Sequence, residues 1–82
     1  MSFIISWDEG ALKDLEEFDF LLRKRIIKKI EEFANSCSFH QVKKVLGYER
    51  LYRLRGGDYR IIFELENQEI VVLKIGHRKN IY

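Results

Sequence analysis

The chain has 82 residues, which is enough for one domain with one core and excludes a second domain. With 46% hydrophobic and 34% charged residues and no proline, it has the composition of a compact soluble domain and excludes a disordered or fibrous chain. Net charge is only +2, but fourteen of the fifteen bases follow residue 22 against seven of the thirteen acids, so residues 23–82 carry +7 and suit a polyanionic partner on part of the surface.

Phe3-Ile4-Ile5-Ser6-Trp7 is short, β-branched and aromatic, and reads as a strand. It reaches acid too soon to be a signal peptide or a membrane span. Asp8 has the chemistry of a helix N-cap, with Glu9 at the favourable end of the dipole. Leu12, Leu15 and Phe18 then recur at helical spacing. Asp19 caps a second helix whose apolar positions are Leu22, Ile26, Ile30 and Phe33. The outward side of that helix carries Arg23, Lys24, Arg25, Lys28 and Lys29, which serve either as a solvated face or as phosphate contacts.

Asn35-Ser36-Cys37-Ser38 ends the helical pattern, and the residues to Gly47 read as a connecting loop with Val42, Val45 and Leu46 tucked inward. Cys37 is the only cysteine, which excludes an intramolecular disulfide and a cysteine zinc site and fits a reducing cytoplasm. No residue beside it marks it as a nucleophile.

From Tyr48 onward the period changes to two. Residues 50–55, 59–66 and 70–75 are three strands of an antiparallel meander. The expected fold is α+β: a strand, an α-helical hairpin and a three-stranded meander, with the helices on one sheet face. Tyr52, Leu54, Tyr59, Ile61, Phe63, Leu65, Val71, Leu73 and Ile75 form the expected covered face. Leu51, Arg53, Arg55, Arg60, Ile62, Glu64, Lys74, Gly76 and Arg78 fall on the other. A two-residue Gly56-Gly57 loop sets Arg55 opposite Asp58 and Arg53 opposite Arg60. A three-residue loop after Glu66 sets Glu66 against Ile70, Ile62 against Lys74, and Arg60 against Gly76.

Like charges side by side on a small sheet oppose folding, so a row of arginines points to a ligand outside the fold. Guanidinium groups clamp phosphate through paired donors and stay charged at any ordinary pH. Arg53, Arg55, Arg60, Lys74, Arg78, Lys79 and the bare backbone at Gly76 are the candidates, with Arg25 and Lys28 from the helix. His77 and Tyr82 are candidates by type for proton transfer, and Tyr82 alternatively for stacking on a base. The plainer readings are a hydrogen-bonded surface histidine, a packed terminal tyrosine, and a salt-bridge network through Asp58, Glu64 and Glu66. Paired metal carboxylates, a phosphate-loop glycine motif and a Ser/His/Asp set are absent as sequence signals, so neither metal nor cofactor is expected.

The segments LGYERLYRLRGGDYRIIF (46–63) and VLKIGHRKNIY (72–82) resemble the RelE branch of the RelE/ParE toxin superfamily, and the order of elements matches over residues 1–82 as a single domain. The resemblance implies the toxin of a toxin-antitoxin pair: a metal-independent endoribonuclease that cuts messenger RNA in the ribosomal A site by attack of the 2′-hydroxyl on the adjacent phosphate. It implies a RelB-like antitoxin in a heterotetramer, the ribosome and its messenger as partners, no membrane, and the cytoplasm as location. Arg60 then matches the family's transition-state arginine, Arg78 the arginine after the last strand, and Tyr82 the C-terminal tyrosine, with a shorter spacer. Arg53 and Leu51 stand where relatives often have lysines, and His77 resembles a histidine that other members use. The alternatives are a ParE-like inhibitor of DNA gyrase and an inactive protein with the same scaffold.

Overall fold

The computed structural model describes residues 2–79. It contains β1 (Ile4–Trp7), α1 (Glu9–Glu16), α2 (Phe20–Ser36), β2 (Val42–Lys44), β3 (Leu51–Gly56), β4 (Tyr59–Glu66) and β5 (Glu69–His77). All strands join one sheet in the order β1-β5-β4-β3-β2. β1 runs parallel to β5, and the other pairs are antiparallel. The expected α+β architecture, with a helical hairpin on one sheet face, is the one observed.

The helix starts follow from local chemistry. The Asp8 carboxylate accepts from Gly10 N at 3.0 Å, and that of Asp19 accepts from Leu22 N at 2.9 Å; each satisfies an N–H that the first turn leaves unpaired. Helix α2 ends where Cys37 turns left-handed at φ 55° and donates its N–H to Phe33 O at 2.8 Å. From α2, Ile26, Ile30, Phe33 and Ala34 reach the core, as their spacing requires. In α1 the buried residue is Ala11, while Leu12 is 47% exposed; of the expected stripe, Leu15 and Phe18 pack against the core and Leu12 gives its place to Ala11.

Leu54, Ile61 and Phe63 meet these helices from the sheet. The rings of Phe63, Phe33, Tyr52 and Phe39 adjoin at centroid distances of 5.2–6.2 Å. Burying side chains of this size stabilises by about 1.5–3 kcal/mol each.

Several sequence expectations are corrected. Residues 42–44 form strand β2, which pairs Val42 with Leu54, Lys43 with Arg53 and Lys44 with Tyr52, where a loop was expected. A run of three residues is too short to show a period, so its pairing comes only from the sheet edge that β3 offers. Val42 and Val45 are half-buried, but Leu46 is 94% exposed and does not tuck inward.

The β3–β4 register differs by two residues. Gly56 pairs with Tyr59, Arg55 with Arg60, and Arg53 with Ile62, so the turn is Gly57-Asp58. Gly57 takes the left-handed conformation at φ 63°. Gly56 is a strand residue, and the Tyr59 ring lies over it, so a Cβ there would come within 2.5 Å of the ring. A shift of two preserves every face assignment, since side chains alternate with period two.

The last hairpin turns on Asn67 and Gln68, with Asn67 at φ 56° and Glu66 opposite Glu69 rather than Ile70. Ile62 pairs with Lys74 but Phe63 pairs with Val72, so Leu73 is the extra residue of a β-bulge. The bulge switches the alternation: Ile70, Val72 and Ile75 are the buried residues of β5, and the expected Val71 and Leu73 are not. It coincides with the docking of α1. Asp8 N donates to Val72 O at 2.9 Å, and the Asp14 carboxylate accepts from Ile75 N at 3.0 Å, beyond the reach of β1, whose pairing ends at Val72.

Candidate functional site

The sheet face that the helices leave bare is where the cations gather. Residues paired across an antiparallel ladder share a face. One row across the strands is therefore Lys43, Arg53, Ile62 and Lys74, and the next is Arg55, Arg60 and Gly76. The arginines that oppose each other are Arg55 and Arg60, where Arg53 and Arg60 were expected. Arg60 and Gly76 pair as expected. Lys43 was missed, because it enters the row only through β2.

A groove of about 310 Å³ opens along this surface, lined by Arg53, Arg55 and Arg60 with Lys43, Gln41, Val42 and His40. Arg60 is braced from beneath: its Nη1 donates to Gly57 O at 2.7 Å and to Tyr59 O at 2.8 Å. Both acceptors are backbone carbonyls, which orient the guanidinium without neutralising it. Desolvation, followed by the nearby cations Arg55, Arg53 and Arg78, lowers the pKa of Arg60 from the ordinary arginine value, against the opposing pull of Asp58. An anion placed among these groups would relieve that repulsion.

Arg78 follows β5 at the rim. Its N–H donates to Asp58 O at 2.9 Å, and its Nε lies 3.8 Å from Asp58 Oδ1, which ties the segment after β5 to the β3–β4 turn. Glu66 pairs with Arg50 at 2.7 Å, at the other end of the sheet from Arg60. Of the acids expected to neutralise the arginines, Asp58 thus pairs with Arg78 as expected, Glu66 is engaged elsewhere, and Glu64 stays on the bare face beside Leu51 and Leu73.

The other candidates divide. His77 pairs with Tyr59, which puts it on the helix-side parity of the sheet, and its Nδ1 accepts from Lys79 N at 3.2 Å. The register therefore separates His77 from Arg60. Arg25 and Lys28 are exposed on α2, across the sheet from the arginine rows. The Arg25 carbonyl accepts from the Tyr59 hydroxyl at 3.4 Å. Lys79 is exposed beyond β5, and Tyr82 lies outside the described residues. His40 was not a candidate from sequence, because nothing in a segment read as loop relates it to residues 53–60. No group of three or more His, Cys, Asp or Glu among the described residues could hold a metal ion.

Residues 5–82 match the family model for the ParE toxin of the type II toxin-antitoxin system parDE. Toxin RelE3 of Methanocaldococcus jannaschii is 41% identical over 75 residues, covering 87% of this chain and 85% of that protein. The mRNA interferase toxin RelE of Escherichia coli is 26% identical over 83 residues, covering 96% and 86%. The crystal structure of the RelB-RelE antitoxin-toxin complex from Methanococcus jannaschii contains a chain that superposes with a TM-score of 0.76 at 38% identity, covering 94% of both chains. On its fold, its site-bearing segments and these relatives, the chain belongs to the RelE/ParE family of type II toxin-antitoxin toxins, as a RelE-type member.

Proposed function

We propose that this toxin is a ribosome-dependent endoribonuclease that cuts messenger RNA in the A site, using the arginine rows as a phosphate clamp. The observation that carries the reading is the pair of cationic rows on the bare sheet face, with Arg60 oriented by two carbonyls and no side chain at Gly76. The relative named as an mRNA interferase supports it. In the proposed step the 2′-hydroxyl attacks the adjacent phosphorus and the P–O5′ bond breaks, leaving a 2′,3′-cyclic phosphate and a 5′-hydroxyl. The nucleophile belongs to the substrate, so the protein needs no metal ion to generate one. Arg53, Arg55 and Arg60 hold the phosphate and stabilise the charge that accumulates on its oxygens, and Arg78 closes the rim. Lys43 and Lys74 carry the flanking backbone.

The toxin works in the cytoplasm, where ribosomes are, and is held inactive by a RelB-like antitoxin. The solved RelB-RelE complex of its relative supports that partner, and a heterotetramer of two such pairs is the proposed assembly. Primer extension on messenger in programmed ribosomes tests the activity. Wild type should stop the primer at A-site positions, and Arg60→Ala should cut about 100- to 1,000-fold more slowly. Its thermal melt should stay close to that of wild type. Intact messenger in the presence of folded wild-type protein sinks the reading, and inhibition of gyrase supercoiling by that protein would put the ParE activity in its place.

A further inference from the structure

Guanidinium groups can hold a phosphate, but they keep their own protons at any ordinary pH, so Arg53, Arg55 and Arg60 supply no base for the 2′-hydroxyl. We propose that His40 is that base. The inference rests on the endoribonuclease reading above and identifies the proton acceptor within the same groove.

Three observations converge on it. His40 lines the groove together with Arg53, Arg55 and Arg60, and it is the one described residue of that lining whose side chain type titrates near neutrality. His77 is set apart from the groove by register, opposite Tyr59, with Nδ1 already accepting from Lys79 N. Finally, the segment bearing His40 is fixed on both sides. The Phe39 ring packs edge-on against Phe33 at 5.2 Å and lies 6.2 Å from Tyr52. Gln41 accepts a side-chain hydrogen bond from Lys29 Nζ, and its carbonyl accepts from Arg55 N at 2.9 Å. Val42 N closes the turn onto Phe39 O at 3.0 Å. The exposed imidazole is thus carried between two anchored neighbours at the rim of the phosphate clamp.

The charged groups around it are Lys43 on β2, Arg53 and Arg55 on β3, Arg60 on β4, and Lys29 and Glu32 on α2, which line the hollows on its two sides. In the step, the unprotonated ring nitrogen of His40 takes the 2′-hydroxyl proton as the O2′–P bond forms. The P–O5′ bond breaks, water protonates the departing O5′, and the imidazolium returns its proton to solvent. Atoms and charges balance with water as the only further participant.

The test is single-turnover cleavage of messenger on programmed ribosomes across a pH series, with the full chain. Wild-type cleavage should rise with pH along a limb of unit slope and then level off. His40→Gln should lower the maximal rate about 100- to 10,000-fold and abolish that limb. His40→Ala should recover part of the rate when free imidazole is added. A His40→Gln protein that cuts at the wild-type rate with the same limb overturns the inference and leaves the endoribonuclease reading standing. So does a variant that loses only affinity for the ribosome while its maximal rate and limb persist, since that marks a binding residue. Failure of wild type to cut overturns both.

Discussion

The two faces of the sheet are built from the same strands and are opposite in character. Under the helices, Leu54, Ile61 and Phe63 are at most 2% exposed, and their aromatic neighbours extend the packing to the edge. On the bare side, one residue along in each strand, stand Arg53, Arg55, Arg60 and Ile62. The covered face accounts for the fold. The bare face includes an Arg55–Arg60 pair that opposes it, since like charges directly across a ladder are destabilising. A fold that keeps such a pair gives up stability locally, and a phosphate site is where that concession has a use.

This contrast can be broken most severely from the covered side. Phe63→Ala should destabilise the protein by about 3–5 kcal/mol in urea titration, because it opens a cavity among Phe33, Tyr52 and the helix residues. A smaller loss is expected at Gly56, where an added Cβ meets the Tyr59 ring. Gly56→Ala should cost about 1–3 kcal/mol in wild type, and clearly less in a Tyr59→Ala background, where the obstructing ring is gone.

The bare side predicts the opposite sign. Arg55→Ala should raise stability by about 0.2–1 kcal/mol at low salt, with the gain shrinking as salt is added, while cleavage of messenger falls. A variant that lost both stability and activity would mean that Arg55 is a structural residue.

The smallest effect is confined to alkali. Burial raises the pKa of the Tyr59 phenol, Arg25 partly opposes the shift, and Glu32 adds to it. The folded value thus lies above the unfolded value of about 10. The stability this contributes is fully present below that pH and is lost as pH rises through the higher folded value. Tyr59→Phe has no such proton to lose, so its urea midpoint should fall less steeply than that of wild type across the alkaline range.

The sequence alone carried the types of every element except β2, the two aspartate caps and the separation of β3 and β4 into an apolar and a basic face. These depend on chemistry local to a few residues and on a period of two. That period is why a register error of two between β3 and β4 changed the partners of the arginines but not their face. The family resemblance of residues 46–63 and 72–82 was legible too, because it lies in contiguous blocks.

Tertiary structure decided the rest. Strand β2 exists because β3 offers an edge, and with it Lys43 joins Arg53. The bulge at Leu73 exists where α1 docks on β5, and it exchanges Val71 and Leu73 for Ile70 and Val72 in the core. His40 reaches the groove, and His77 is kept from it, through pairings between residues far apart in the chain. Such contacts depend on how separate elements share one surface, and no local pattern of residues encodes them.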